Sequence, residues 1–371
     1  MSTILVTGSE GFIGKNLIVA LEQSGYHDIL KYDIDNNEGN LENYLKQAEI
    51  IFHLAGVNRP KSENEFKKGN EDLTQTIVNI LGKNKKRTPM VFTSSIQAKL
   101  KNPYGISKKN AENVLFNYAK KTKAKVFVYR LPNVFGKWCK PNYNSAVATF
   151  CHNIARNIDI NITDEKKEIE LVYIDDVVSE FIKLLNKKEK YQKKYYFIKK
   201  TFKISLGELA KKIYQLNDIL KTLIMPNLSY DLTRDLYETY LSYLDKNDFS
   251  YKLDQKADRR GSLVEILKSH QSGQIFVSKS KRGVIRGNHY HNTKIEKFWV
   301  IEGKAEIKFR HILNNEILSY LVSGEDIKVV DIPPGYIHSI ENKGEDELIV
   351  VFWASSIFNS ENPDTYALEV L

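Results

Sequence analysis

Thr7-Gly8-Ser9-Glu10-Gly11-Phe12-Ile13-Gly14 follows a short apolar run, Ile4-Leu5-Val6, and leads into a stretch with helical spacing over 13–24. A glycine-rich turn between a strand and a helix lets backbone N–H groups and the helix N-terminus approach a pyrophosphate. Glycines alone would say little, because turns use them for many reasons. Their place at the first strand–helix junction is what a nucleotide-binding fold requires. Further along the chain, 28–32, 50–54, 90–94 and 125–130 read as strands, and 70–81 and 104–122 as helices. The βαβα rhythm predicts a doubly wound parallel sheet, and its nearly continuous apolar strands need helices on both faces.

From about residue 202 the pattern turns helical, with apolar spacing over 206–216 and a tyrosine-rich stretch over 232–244. After Asp245 short strands alternate with Gly, Pro, Asn and Asp turns, over 263–267, 273–278, 297–301, 305–310, 318–321 and 348–352. That spacing predicts a β-barrel or jelly roll. The expected fold class is therefore α/β, a Rossmann-like domain over 1–245 joined to an all-β barrel over 252–371. A chain of 371 residues suits two domains, and 42% hydrophobic with 27% charged residues is ordinary for a soluble globular protein.

The formal charge is +9, but the lysines are scattered and form no arm, so no nucleic-acid partner is expected. A mild positive field also suits a substrate carrying a diphosphate. Cys139 and Cys151 are the two cysteines, and neither has the spacing of a zinc or redox motif. No run reaches the roughly 20 apolar residues of a membrane span, and no basic segment precedes the first strand. No membrane partner and a cytoplasmic location are the expectation.

Two further features carry chemistry. Tyr104 and Lys108 form a Tyr-x-x-x-Lys pair at helical spacing, with both side chains on one face. A nearby ammonium lowers a phenol's pKa and makes it a usable acid. Upstream, Thr93-Ser94-Ser95 ends a strand and can supply a hydroxyl to a carbonyl oxygen. Asp33, at the end of the second strand, can bond an adenosine ribose hydroxyl.

With His53-Leu54-Ala55-Gly56 and Arg130-Leu131-Pro132-Asn133-Val134-Phe135-Gly136, these motifs resemble the extended short-chain dehydrogenases that modify nucleotide sugars. The resemblance implies Tyr104 as general acid/base, Lys108 as its modulator and nicotinamide-ribose ligand, and Ser95 as the carbonyl-orienting hydroxyl. It implies a cofactor seat of Gly8, Gly11, Phe12, Ile13, Gly14, Asp33, Leu54, Ala55, Gly56 and Leu131. Asn133 matches a sugar-nucleotide contact, and Asn58, Arg59, Lys137 and Lys140 are expected around the substrate.

The C-terminal half holds a second motif. Gly283 is followed by five residues, His289-Tyr290-His291, four residues, Glu296, six residues and Gly303. This resembles the first cupin motif, and Pro333-Pro334-Gly335-Tyr336-Ile337-His338 with Asn342 resembles the second. His289, His291, Glu296 and His338 are the expected metal ligands. Three imidazoles and a carboxylate suit zinc, iron or manganese, with zinc first. His270 and His311 lie outside the motif and read as structural.

The order reductase then cupin resembles the bifunctional reductase–cupin enzymes of capsular polysaccharide synthesis. It implies a homodimer that makes UDP-2-acetamido-2,6-dideoxy-β-L-talose from a UDP-linked 4-keto-6-deoxy-HexNAc. The cupin would epimerise C3 and the first domain would reduce C4 with NADPH. Asp33 would repel a 2′-phosphate and argues for NADH instead. Two other readings stand beside this one: a reductase with a purely structural or dimerising cupin, and a non-catalytic nucleotide-sugar sensor. Tyr336, Arg286, Lys294 and the metal are all open as the epimerisation base.

Overall fold

The computed structural model describes residues 2–60, 62–185, 193–313 and 316–371. Strands β1 (Ile4–Thr7), β2 (Ile29–Tyr32), β3 (Ile50–His53), β4 (Met90–Ser95) and β5 (Val126–Leu131) form a parallel sheet in the order β2-β1-β3-β4-β5. All but β2 are buried along their whole length. Such strands need cover on both faces. On one face Leu5, Ile51, Phe92 and Val128 pack with Ile77, Leu81, Ala111 and Leu115 from helices Leu73–Lys83 and Pro103–Thr122. On the other, Phe181 of helix Ile174–Leu185 meets Phe52 and Tyr129, with ring centroids 5.9 and 5.1 Å apart. The strand order reverses between β1 and β3, and ligands bind beyond the carboxyl ends of strands at such a switch point.

One helix departs from its expected form. In place of a single helix over 70–81, a π-helical turn, Lys67–Asp72, runs into helix Leu73–Lys83. Turns of this kind recur near functional sites. This one brings Gly69 so close to Val57 that a Cβ there would sit 2.4 Å from Val57 Cγ2. A small sheet of β6 (Asn133–Phe135), β7 (Glu168–Tyr173) and β8 (Phe202–Ser205) was not expected; its strands are short and partly polar.

The C-terminal strands are β9 (Gln255–Asp258), β10 (Gly261–Ser269), β11 (Gly273–Ser280), β12 (Ile285–Tyr290), β13 (Glu296–Glu302), β14 (Lys304–His311), β15 (Ile317–Ser323), β16 (Val330–Ile332), β17 (Tyr336–Asn342), β18 (Leu348–Ala354) and β19 (Tyr366–Ala367). They pair antiparallel in two sheets, β16-β13-β18-β11-β10-β9 and β15-β14-β17-β12-β19. Phe298, Val300, Val350 and Phe352 of the first sheet share one core with Ala305, Ile307, Phe309 and Ile340 of the second. That is the double-sheet, all-β arrangement expected.

The chain divides into two compact units, Met1–Tyr214 with Arg234–Asp245, and Gln215–Thr233 with Lys246–Leu371. The segment 215–233, read from sequence as part of the first domain, thus groups with the second. Met225 N–H donates to the Lys268 carbonyl at 2.7 Å, a tie to β10. No helix among the described residues is long and apolar enough to cross a membrane.

Candidate active site and metal centre

The glycine loop after β1 depends on backbone approaches that no side chain allows. Gly8 has φ +72°, and a Cβ on it would lie 2.7 Å from Ala55 N. A Cβ at Gly14 would meet the Gly8 carbonyl oxygen at 2.1 Å. Asp33 holds the loop from outside: its Oδ2 accepts Glu10 N–H at 2.7 Å and its Oδ1 accepts Ile34 N–H at 2.8 Å.

Beyond the loop lies a cleft of about 600 Å³, within the usual range for a small-molecule site. Gly8, Gly11, Phe12, Ile13 and Gly14 line one end, with Leu54, Gly56 and Leu131 beside them. Ser95, Tyr104 and Lys108 form its floor, and Asn58, Asn133 and Lys140 also line it. Ala55, Asp33, Arg59 and Lys137 lie outside this lining. Arg59 is exposed, and the Lys137 ammonium pairs with Asp175 at 2.7 Å. Trp138, Cys139 and Tyr143 also line the cleft.

The three residues line the same cleft. Ser94 is spent elsewhere, donating to Glu112 Oε1 at 2.7 Å in a buried cluster with Arg130. Ser95 is the hydroxyl that neighbours the Tyr104 phenol and acts on it. Burial pushes the Tyr104 phenol up, and the Ser95 hydroxyl offsets this only in part. The net direction is opposite to the lowering expected from Lys108, and it keeps the phenol protonated, the form that donates. Lys108 itself is pushed down to about 8 by burial, against the attraction of Glu112. Its ammonium donates to the Thr93 carbonyl at 3.1 Å.

Asn70, which sequence reasoning missed, braces this floor from the π-helical turn. Its Oδ1 accepts Val57 N–H at 3.0 Å, and its Nδ2 donates to the Val57 carbonyl and to Ser107 Oγ, both at 2.9 Å. A buried chain continues through Thr74 and His53 to Thr7, with His53 bonded at 2.9 and 2.8 Å. Burial, and then the Lys108 charge, hold His53 down to about 3, so it stays neutral. Helical periodicity says nothing of such a brace, because it depends on the one-residue offset of the π turn.

In the second unit His289, His291, Glu296 and His338 present ligand atoms all within 4.8 Å of one another. His289 is the next-to-last residue of β12, Glu296 opens β13, His338 lies in β17, and His291 sits just past β12. Glu296 Oε2 is 3.2 Å from His291 Nε2 and 3.4 Å from His338 Nε2. Donors about 2.1 Å from one tetrahedral ion stand about 3.4 Å apart, which these two spacings match. The Nε2 atoms of His291 and His338 are buried without a hydrogen-bond partner. A buried polar atom normally has one, so these two point to an ion. The donor set fits a divalent transition metal. His289 is the one ligand that is not buried, which marks the open side.

Of the three residues named as bases, two are occupied. Lys294 Nζ donates to the Pro363 carbonyl at 2.7 Å and to Thr365 Oγ1 at 3.2 Å. Arg286 Nε donates to Ser280 Oγ at 2.8 Å. Tyr336 lies two residues before His338 in β17, on the same face of that strand, and packs against the barrel core.

Dinucleotide folds with a Tyr-x-x-x-Lys pair below the glycine loop are short-chain dehydrogenases/reductases, and that is the class of the first unit. The chain belongs to the NAD dependent epimerase/dehydratase family, which it matches over residues 4–198; residues 256–366 match the polysaccharide biosynthesis C-terminal domain. It is 44% identical over 367 residues to a UDP-2-acetamido-2,6-beta-L-arabino-hexul-4-ose reductase of Pseudomonas aeruginosa, covering 99% of this chain and 98% of that one. The crystal structure of capsular polysaccharide assembling protein CapF from Staphylococcus aureus superposes with a TM-score of 0.92 at 43% identity, covering 99% of this chain and 100% of that one. UDP-glucuronic acid 4-epimerase from Bacillus cereus, solved with NAD, shares the fold at 19% identity and a TM-score of 0.55, over 65% of this chain and 98% of its own.

Proposed function

We propose that the protein is a bifunctional nucleotide-sugar enzyme of polysaccharide synthesis. Its substrate is a UDP-linked 4-keto-6-deoxy-HexNAc; the second unit, a cupin, inverts C3 and the first unit reduces C4. The product is UDP-2-acetamido-2,6-dideoxy-β-L-talose. The observation that carries this reading is the pairing of two separate sites in one chain: the Ser95–Tyr104–Lys108 floor and the four-donor cluster. A whole-length relative named as a hexul-4-ose reductase supports the choice of substrate.

The chemistry links the two steps. A C4 ketone acidifies the C3 proton, so a base can remove it and protonation from the other face inverts the centre. Reduction then removes the ketone and locks the configuration. A bound reduced nicotinamide would supply the hydride to C4. Ser95 orients the ketone oxygen, Tyr104 gives it a proton, and Lys108 holds the nicotinamide ribose. Asn58, Asn133 and Lys140 face the nucleotide sugar, while Arg59 and Lys137 act at the rim. At the cupin, zinc held by His289, His291, Glu296 and His338 would stabilise negative charge on the ketone oxygen. Tyr336 is the base we assign, since Lys294 and Arg286 are engaged elsewhere.

NADPH is the cofactor of this reading, and the Asp33 carboxylate, already bonded to the loop, need not meet its 2′-phosphate. The enzyme works in the cytoplasm as a homodimer whose mass light scattering reads. Incubation with a UDP-4-keto-6-deoxy-HexNAc and either reduced nicotinamide, followed by NMR of the product, tests the proposal. The talo product is expected, faster with NADPH; a product that keeps the original C3 configuration would refute the epimerase half.

A further inference from the structure

Between His291 and Glu296 the chain makes a tight turn, and one residue from near the C-terminus holds it. The Asp364 carboxylate accepts the backbone N–H of Asn292 and Thr293, each at 2.9 Å, and of Lys294 at 2.8 Å. It also accepts the Thr293 hydroxyl at 2.8 Å. The Asp364 main-chain oxygen lies 2.5 Å from His291 Nδ1. A carbonyl can only accept, so Nδ1 carries the proton and the lone pair of His291 stays on Nε2, which faces Glu296.

We propose that Asp364 is a positioning residue of the metal centre: its carboxylate fixes the turn between two ligands, and its carbonyl sets the tautomer and angle of His291. The inference rests on the metal-centre reading above. A carboxylate that caps a turn is often only a local fastening. Here the turn has a ligand at each end, and the same residue also bonds a ligand ring. The neighbouring chain is anchored as well: Lys294 Nζ clamps Pro363 and Thr365. Strand β19 pairs with β12, placing Ala367 opposite His289. Partners that orient ligating histidines typically affect metal affinity by about 10–100-fold.

The backbone dictates the variants. Asp364 has φ +41°, a left-handed conformation that Gly and Asn adopt readily and Ala does not. Asp364→Gly therefore removes the carboxylate without adding strain, and Asp364→Asn keeps one accepting oxygen. Zn²⁺ affinity of the full chain is measured by competition with a chromophoric chelator, well below the melting temperature of each variant. Reduced-nicotinamide binding serves as the control for the first unit. Asp364→Gly is expected to bind Zn²⁺ about 10–100-fold more weakly. Asp364→Asn is expected to fall between it and wild type, and Co²⁺-loaded Asp364→Gly to show an altered visible spectrum. Affinity within about twofold of wild type in folded Asp364→Gly overturns the inference and leaves the metal centre standing. Should Asp364→Gly fail to fold, Asp364→Asn decides: weakened binding supports the role and unchanged binding overturns it. A wild-type chain that binds no Zn²⁺, Fe²⁺ or Mn²⁺ overturns the metal reading and this inference with it.

Discussion

Tyr104→Phe is expected to slow nicotinamide oxidation by a 4-keto nucleotide sugar by about 10²–10⁴-fold, the usual worth of a positioned general acid. The substitution removes one hydroxyl and keeps the ring, which packs on Phe66 with centroids 5.8 Å apart. The glycine loop proposed to seat the cofactor is untouched, so nicotinamide affinity should change little. Hydride delivery to C4 leaves negative charge on the ketone oxygen, and in a buried floor a donor must meet it. Ser95 alone can orient that oxygen, but its proton is far less readily given. A variant that keeps more than about a tenth of the rate would remove Tyr104 from the mechanism.

The second large effect concerns the four-donor cluster of the second unit. His338→Ala should strip the metal, because the side chain is fully buried and one of four converging donors. Metal content is expected to fall from about one ion per chain to less than about a tenth, since structural and catalytic sites alike depend on the full ligand set. Exchange at C3 should vanish with it, while reduction of a sugar already inverted at C3 continues in the first unit. Elemental analysis of the purified chain, read beside the two activities, checks both halves. Full metal content in folded His338→Ala would exclude this cluster as the binding site.

Much of this architecture was legible in the residues themselves. Strands such as Ile4–Thr7 and Ile50–His53 could be read because a parallel sheet covered on both faces needs unbroken apolar runs. The glycine loop, the Tyr104–Lys108 pair and the His289-x-His291-x-x-x-x-Glu296 run stand out because their spacing is short and local, whereas His338 comes from a separate segment, Pro333–His338. Other features depend on contacts that spacing does not encode. Strands β12 and β17 carry donors where a core strand would carry apolar residues, so Gly287-Asn288-His289 gave no alternating pattern. The π-helical turn that aims Asn70 shifts the helix by one residue, which no periodicity announces. Asp364 serves a turn about seventy residues earlier. Nor could the environment of Tyr104 be read: pairing with Lys108 pointed to a lowered pKa, and burial wins instead.

The central claim is a division of labour between two sites that need the same ketone. Acidity at C3 depends on that ketone and not on the nicotinamide, so on the proposed reading exchange requires only the four-donor site of the second unit. The direct measurement gives Tyr104→Phe the UDP-4-keto-6-deoxy-HexNAc in deuterated water and follows C3 by NMR, beside a chain truncated after residue 245. The account predicts deuterium at C3 with no cofactor consumed in Tyr104→Phe, and none in the truncated reductase. Deuterium incorporated at C3 by the truncated reductase alone would contradict it, reducing the cupin to a structural part.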